Sequence, residues 1–161
     1  MARKSYNDGK KRVLVVKGGP GTGKSVLAVN LLVKLTSENM VCSYVTKNVA
    51  PRSVYAAKLS GSLRKNRINN LFMGSGLFTE STPNEFDVLL VDEAHRLNAK
   101  SGMFQNKGEN QIKEIINASK LSVFFIDESQ RVTLKDIGTV EEIEKYINQA
   151  GAESKLMELE S

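Results

Sequence analysis

The fold of this chain is decided by the stretch Gly18-Gly19-Pro20-Gly21-Thr22-Gly23-Lys24-Ser25. It matches the pattern G-x-x-x-x-G-K-[ST] at every fixed position. A β-branched run at residues 13–16 precedes it, and a long apolar helical pattern follows from about Lys24. A strand, a glycine-rich loop and a helix in this order are typical of a loop that binds phosphate. The stretch therefore predicts an α/β domain that binds a nucleotide.

The residue types of this loop suit phosphate because glycine lets successive backbone N–H groups turn toward one point. The helix that follows adds its unpaired N–H groups and the positive end of its dipole. We expect Lys24 to reach the β- and γ-phosphates and Ser25 to offer its hydroxyl to Mg²⁺. The predicted nucleotide-binding residues are Gly18, Gly19, Pro20, Gly21, Thr22, Gly23, Lys24, Ser25 and Val26.

A second chemical element follows the apolar run at residues 88–91, which ends in Asp92 and Glu93. Ligands collect at the carboxyl ends of strands in parallel sheets, so we expect Asp92 to hold Mg²⁺, through water. Glu93 is placed to activate an attacking water. Hydrolysis needs this second carboxylate, and the pair therefore favours an ATPase over a nucleotide kinase or a GTP-binding switch. The alternative is that Asp92 and Glu93 lie at the N-terminus of a helix and only stabilise its dipole.

A third element repeats this arrangement, because an apolar run at residues 123–126 is followed by Asp127 and, three residues later, Gln130. A glutamine can both donate and accept hydrogen bonds, which suits sensing a γ-phosphate or orienting a water. A loop glutamine alone usually has no such role, but this one follows the third strand predicted to end at one site. The predicted catalytic residues are Glu93, Lys24 and Gln130. His95 is a weaker candidate for coupling the site to another element.

Five strand-like segments alternate with helical patterns, at residues 13–17, 41–46, 87–92, 121–127 and 155–159. Short hydrophobic strands between helices predict a mainly parallel sheet that is covered on both faces. Thr139 and Glu142 predict a capping box, and Gly151 is well placed to end the helix that follows it. Residues 66–82 and 97–110 are predicted to be irregular loops near the site. The apolar residues of the first loop favour local core over a partner surface.

The composition fits one globular domain over all 161 residues, 40% of which are hydrophobic. The apolar runs are far too short to span a bilayer, and no signal peptide is visible, so we expect a cytoplasmic protein without a membrane partner. Cys42 is the only cysteine, which excludes an intramolecular disulfide. Its apolar neighbours predict a buried, inert thiol.

The net charge is +5, but it is unevenly distributed. From Asp136 onward the chain carries seven acidic and two basic residues, so the rest carries +10. This excess permits a nucleic-acid face, and an ordinary solvated lysine surface is an equal alternative. The basic residues recur at Arg3, Lys4, Lys10, Lys11, Arg12, Lys58, Arg64, Lys65 and Arg67.

Three stretches together resemble the N-terminal motor domain of superfamily-one helicases, and more closely the Schlafen-related DNA/RNA helicase family. They are residues 16–25, 90–97 and 125–132. The segment Tyr44-Val45-Thr46-Lys47-Asn48, followed by Arg52, is similar to the segment that contacts single-stranded nucleic acid in such motors. The resemblance implies Thr46, Lys47, Asn48 and Arg52 as candidate contacts with single-stranded DNA or RNA.

The resemblance also implies a fold, a RecA-like P-loop NTPase of three layers, for which we predict a five-stranded sheet. The strand ending at Asp127 would lie between the strand before the phosphate loop and the strand ending at Asp92, which would bring Gln130 beside the γ-phosphate. Such motors bind ATP between two RecA-like domains, and the second domain supplies arginines that stabilise the transition state. We therefore expect this chain to be the first domain of such a motor, lacking the second.

Two alternatives to a motor remain open. One is an ATP-dependent switch or interaction module that unwinds nothing. The other is a small-molecule kinase, which is weaker because Asp92, Glu93 and Gln130 suit water activation better than transfer to a bound substrate.

Overall fold

The computed structural model describes residues 1–19, 21–46, 71–98, 108–127 and 139–159. All five predicted strands are present, each displaced by no more than two residues at either end. The elements in chain order are α1 (Ala2–Asp8), β1 (Arg12–Lys17), α2 (Lys24–Ser37), β2 (Cys42–Thr46), β3 (Phe72–Gly74), β4 (Phe86–Val91), a 3₁₀ turn (Ala94–Arg96), α3 (Gln111–Ala118), β5 (Ser119–Ile126), α4 (Val140–Ala150) and β6 (Glu153–Glu158).

The strands form one parallel sheet in the order β3-β2-β4-β5-β1-β6. The prediction of five strands is wrong, because the described residues alone form a sheet of six. The additional strand, β3, lies within a segment predicted to be an irregular loop. It has only three residues and ends in Gly74, too few to show the alternation that marks a strand. The implied position of β5 between β1 and β4 is confirmed.

Hydrophobic side chains cover both faces of this sheet. Along β1, Val15 belongs to a cluster with Ile115 of α3 and Ile143 of α4, while Val16 belongs to a second cluster with Leu32 of α2. Neighbouring residues of a strand point to opposite faces, so a central strand contributes to both clusters. The result is the predicted three-layer α/β architecture.

Local signals in the sequence account for the ends of the helices. The hydroxyl oxygen of Thr139 accepts a hydrogen bond from the backbone N–H of Glu142 and caps α4. Gly151 ends that helix in the left-handed region, at φ 64°. Asn110 caps α3 by accepting from the backbone N–H groups of Ile112 and Lys113. The predicted start and end of α4 are both confirmed.

The segment before β4 contributes to the core, as its apolar residues predicted. Leu71, Phe72 and Phe78 are buried, whereas Leu77 is exposed. Cys42 is buried at the start of β2, and burial raises the pKa of its thiol to about 12. Within the described ranges, every helix is too short or too polar to cross a bilayer.

Candidate nucleotide-binding site

The phosphate loop joins β1 to α2, and its backbone takes a form that favours glycine. Gly21 and Gly23 lie in the left-handed region, at φ 78° and 81°. The N–H of Gly18 donates to the carbonyl oxygen of Ile126 at 3.1 Å, which ties the start of the loop to the end of β5. Within the loop, the hydroxyl of Thr22 donates to the carbonyl oxygen of Gly19 at 2.8 Å. Pro20 lies outside the described residues.

The ammonium group of Lys24 lies against this loop. Its Nζ donates to the carbonyl oxygens of Gly18 and Gly19, at 2.6 and 2.8 Å. Two residues further on, the side chain of Val26 is 65% exposed at the start of α2. The charge expected to meet phosphate is thus beside the loop expected to cradle it. The binding roles of both residues stay predictions.

Ser25 and Asp92 meet at the carboxyl edge of the sheet. The Ser25 hydroxyl, in the first turn of α2, donates to Oδ2 of Asp92 at 2.8 Å. Asp92 directly follows β4 and is only 6% exposed. Hydroxyl and carboxylate oxygens are ligands that Mg²⁺ accepts in proteins, so this pair fits the predicted metal.

Asp92 has two further hydrogen-bond donors. The hydroxyl of Tyr44, on β2, donates to the same Oδ2, and the backbone N–H of Glu93 donates to Oδ1 at 2.9 Å. The sequence did not predict this contact between Tyr44 and Asp92. The one signal in the sequence was that the hydroxyl of a buried tyrosine needs a polar partner. Which residue becomes that partner depends on the order of the strands in the sheet, and a local segment does not reveal that order.

Glu93 departs from the line of the strand. Its backbone is left-handed, with φ 51° and ψ 45°, which is uncommon for a residue other than glycine. Its Oε2 lies 4.0 Å from Nη1 of Arg96, and its side chain keeps 34% of its surface exposed. Backbone strain of this kind clusters at functional sites. The Glu93 carboxylate thus directly follows Asp92 in the sequence and is partly exposed to solvent.

His95 joins the 3₁₀ turn to the end of β5. Its Nδ1 accepts a hydrogen bond from the backbone N–H of Asp127 at 3.2 Å. Burial lowers the pKa of the imidazole, and because Nδ1 accepts this hydrogen bond, the neutral ring has its proton on Nε2. That Nε2 is buried without a hydrogen-bond partner in the described part of the chain. Gln130, three residues beyond Asp127, lies outside the described residues.

Of the candidate nucleic-acid contacts, Thr46 is the last residue of β2 and is 1% exposed. Its side chain is therefore not at the surface here, and its contact with nucleic acid stays a prediction. Lys47, Asn48 and Arg52 lie outside the described residues.

Two of the basic residues near the N-terminus, Lys11 and Arg12, make their polar contacts with the protein itself. Arg12 is 6% exposed and pairs with Asp8 and Glu153, each at 2.8 Å. The ammonium of Lys11 lies 2.6 to 3.0 Å from four oxygen atoms, on Asn84, Ile116, Asn117 and Ser119. These two charges support the fold, so this group offers fewer cations to nucleic acid than the sequence alone suggests.

A cavity of about 320 Å³ lies beside the phosphate loop, where Gly18, Asp127 and Leu159 line the ends of β1, β5 and β6. A larger cavity, of about 400 Å³, lies at the other end of β1, between α3 and α4. Lys11 and Tyr146 line the larger one, which contains none of the predicted site residues. The smaller cavity is the one of these two that predicted site residues line, namely Gly18 and Gly19, so it adjoins the candidate nucleotide site without containing Ser25 or Asp92.

The fold and the position of this loop define a RecA-like P-loop domain. The chain belongs to the family described as Schlafen group 3, DNA/RNA helicase domain, whose model matches residues 11–161. The resemblance noted from the sequence is thereby confirmed. No curated protein sequence gives a significant match.

Two of the solved structures that are similar in fold illustrate the likeness. The Hef helicase domain of Pyrococcus furiosus superposes with a TM-score of 0.56 at 13% identity, covering 99% of this chain and 38% of that one. The flagellar accessory protein FlaH of Methanocaldococcus jannaschii superposes with a TM-score of 0.52 at 13% identity, covering 91% of this chain and 70% of that one. At such low identity the likeness concerns the fold alone.

Proposed function

We propose that this chain is the ATP-binding and ATP-hydrolysing motor domain of a superfamily-one-like DNA/RNA helicase or translocase. The observation that carries the proposal is the meeting of Ser25 and Asp92, 2.8 Å apart, beside the loop that holds Lys24. Membership of a helicase-domain family supports the same class. In this proposal residues 1–161 form one domain, which acts in the cytoplasm with a second RecA-like domain.

Binding is assigned to the loop and the helix after it. Backbone N–H groups of residues 18–25 and the ammonium of Lys24 would hold the phosphates of ATP. The Ser25 hydroxyl and Asp92 would hold Mg²⁺, which when bound neutralises charge on the phosphate oxygens. Lys24 must leave the two loop carbonyls it now contacts in order to reach phosphate.

Hydrolysis is assigned to Glu93. Its carboxylate would accept a proton from a water whose oxygen bonds to the γ-phosphorus, while the bond to the β,γ-bridging oxygen breaks and ADP leaves. Its partial exposure and its position next to Asp92 support this role, since a base must reach both solvent and phosphate. Gln130 would sense the γ-phosphate and couple its loss to movement.

Single-stranded DNA or RNA is the proposed partner. Thr46 ends β2, and Lys47, Asn48 and Arg52 follow it in the sequence. The second RecA-like domain would supply an arginine to the γ-phosphate, a contribution worth on the order of 10³ to 10⁵ in rate. The isolated chain should therefore turn ATP over very slowly.

The test is steady-state ATP hydrolysis by the 161-residue chain and by the protein with both RecA-like domains, at a stated salt concentration. Each is measured with and without single-stranded DNA or RNA. The motor proposal predicts slow turnover by the chain and stimulation of the two-domain protein by nucleic acid. Brisk turnover by the chain, indifferent to nucleic acid, would contradict it and favour a self-contained ATP-dependent switch.

A further inference from the structure

We propose that Tyr44 is a positioning residue for the magnesium carboxylate of Asp92, an inference that rests on the proposed function. Tyr44 lies two positions before the end of β2, on a different strand from either predicted metal ligand. Its hydroxyl nevertheless donates to the same Oδ2 that accepts from Ser25. The metal site thus includes a residue that the phosphate-loop pattern does not contain.

The number of donors to Asp92 shows what Tyr44 contributes. An ionised carboxylate offers about four lone-pair positions. Tyr44 and Ser25 occupy both positions on Oδ2, and the N–H of Glu93 occupies one on Oδ1. One acceptor position, on Oδ1, is left. Asp92 would therefore hold Mg²⁺ through this acceptor, while three protein donors fix the plane of its carboxylate.

Tyr44 can fix that plane because the core packs around it on all sides. It is fully buried, and its backbone pairs with Leu90 of β4 on one side and Phe72 of β3 on the other. Its ring packs against the ring of Phe72, with the centroids 5.5 Å apart. A side chain with two torsions, packed in a core, presents its hydroxyl at one point. The hydrogen bond from Tyr44 therefore holds the Asp92 carboxylate in a fixed orientation relative to the sheet.

Loss of this hydroxyl should weaken the binding of Mg²⁺ and leave the affinity for ATP in the absence of metal unchanged. In Tyr44→Phe the ring and its packing remain, and Oδ2 keeps only Ser25 as a donor. The carboxylate can then rotate, so the water-mediated contact loses its orientation. Changes to groups that orient metal ligands typically cost about 10- to 100-fold in metal affinity.

The test compares Tyr44→Phe with Ser43→Ala in the 161-residue chain. Ser43 is the neighbouring residue of β2, equally buried, and its hydroxyl donates to the carbonyl oxygen of Leu71 at 3.1 Å. Both variants thus lose one buried hydroxyl from the same strand, and only one of them touches Asp92. Binding of a fluorescent ATP analogue is measured across a series of Mg²⁺ concentrations and in EDTA, together with the urea midpoint of each variant.

Tyr44→Phe should need about tenfold more Mg²⁺ for half-maximal enhancement of ATP binding, with unchanged affinity in EDTA. Ser43→Ala should keep the wild-type Mg²⁺ requirement. Equal requirements in Tyr44→Phe and wild type, or the same shift in both variants, would overturn the positioning role while ATP binding stands. Failure of wild type to bind ATP would overturn the proposed function and this inference together.

Discussion

The hydroxyl of Ser25 donates to the Asp92 carboxylate at 2.8 Å, although 67 positions separate the two residues in the chain. They meet because β5 pairs with both β1 and β4 in parallel, so the strands leading to the two residues end at the same edge of the sheet. The distance between them is therefore set by sheet topology and not by local sequence. Each prediction below concerns a residue at this edge.

Ser25→Ala should weaken ATP binding in the presence of Mg²⁺ by about tenfold, and Ser25→Thr should bind as wild type does. The alanine variant loses a hydroxyl bonded to a carboxylate, while threonine keeps it. Titration with a fluorescent ATP analogue, with Mg²⁺ and with EDTA, measures the difference. If Ser25→Ala and wild type bound equally in Mg²⁺, Ser25 would not be a metal ligand.

Glu93→Gln should retain ATP binding and lower turnover by about a hundredfold or more in the two-domain protein that we propose. Glutamine keeps the shape of the side chain but cannot accept the proton of the attacking water. The matched control is Glu38→Gln, because Glu38 directly follows α2 and pairs with Arg3 at 2.8 Å, away from the site. Turnover by Glu93→Gln at the wild-type rate would show that the base lies elsewhere.

Gly23→Ala and Gly19→Ala should distinguish the contribution of loop glycines to stability from their contribution to phosphate binding. Gly23 has φ 81°, so a side chain there should reduce the free energy of unfolding by about 1–2 kcal/mol. Gly19 is outside the left-handed region, and a Cβ there meets nothing within 4 Å. Alanine at Gly19 should therefore leave stability within about 0.5 kcal/mol of wild type and block the approach of phosphate.

Urea unfolding and ATP titration of both glycine variants check these expectations. Tight ATP binding by Gly19→Ala would remove that residue from the phosphate cradle. A Gly23→Ala chain as stable as wild type would contradict the strain argument.

Acid should destabilise the protein through His95, its only histidine. Burial, the largest cause, lowers the pKa of His95 in the folded state, with smaller opposing effects from Glu93 and Asp127. Since the unfolded imidazole has a pKa of about 6.5, the unfolded chain takes up a proton first as the pH falls. The contribution of neutral His95 to the free energy of unfolding is therefore fully present above about pH 6.5. It is lost as the pH falls toward the lower pKa that His95 has in the folded state.

The variant His95→Gln tests this dependence, because glutamine does not titrate and its oxygen can still accept from Asp127. Urea midpoints between pH 8 and pH 5 should fall more steeply for wild type than for His95→Gln. Parallel profiles for the two proteins would show that His95 does not titrate with folding.

The sequence was informative wherever one local segment carries the signal. The phosphate loop, the Asp92 strand and the caps at Thr139 and Gly151 each depend on residues within a few positions of one another. The order of the central strands followed from the family resemblance, which supplied long-range information that no single segment contains.

Features that depend on contacts between distant segments escaped prediction. The strand β3 is three residues long and is defined by its pairing with β2. The contact of Tyr44 with Asp92 spans 48 positions and needs the neighbouring placement of β2 and β4. Lys11 looked like a surface cation, since a sequence does not show that helix carbonyls will surround it.

The most direct test of the account is the affinity of the 161-residue chain for a fluorescent ATP analogue in Mg²⁺, compared with Lys24→Ala. Lys113→Ala is the matched control, since Lys113, which lies on α3, forms an exposed ion pair with Glu109. We expect Lys24→Ala to bind at least about tenfold more weakly and Lys113→Ala to bind as wild type does. Equal affinity for Lys24→Ala and wild type would contradict the assignment of this loop as the ATP site.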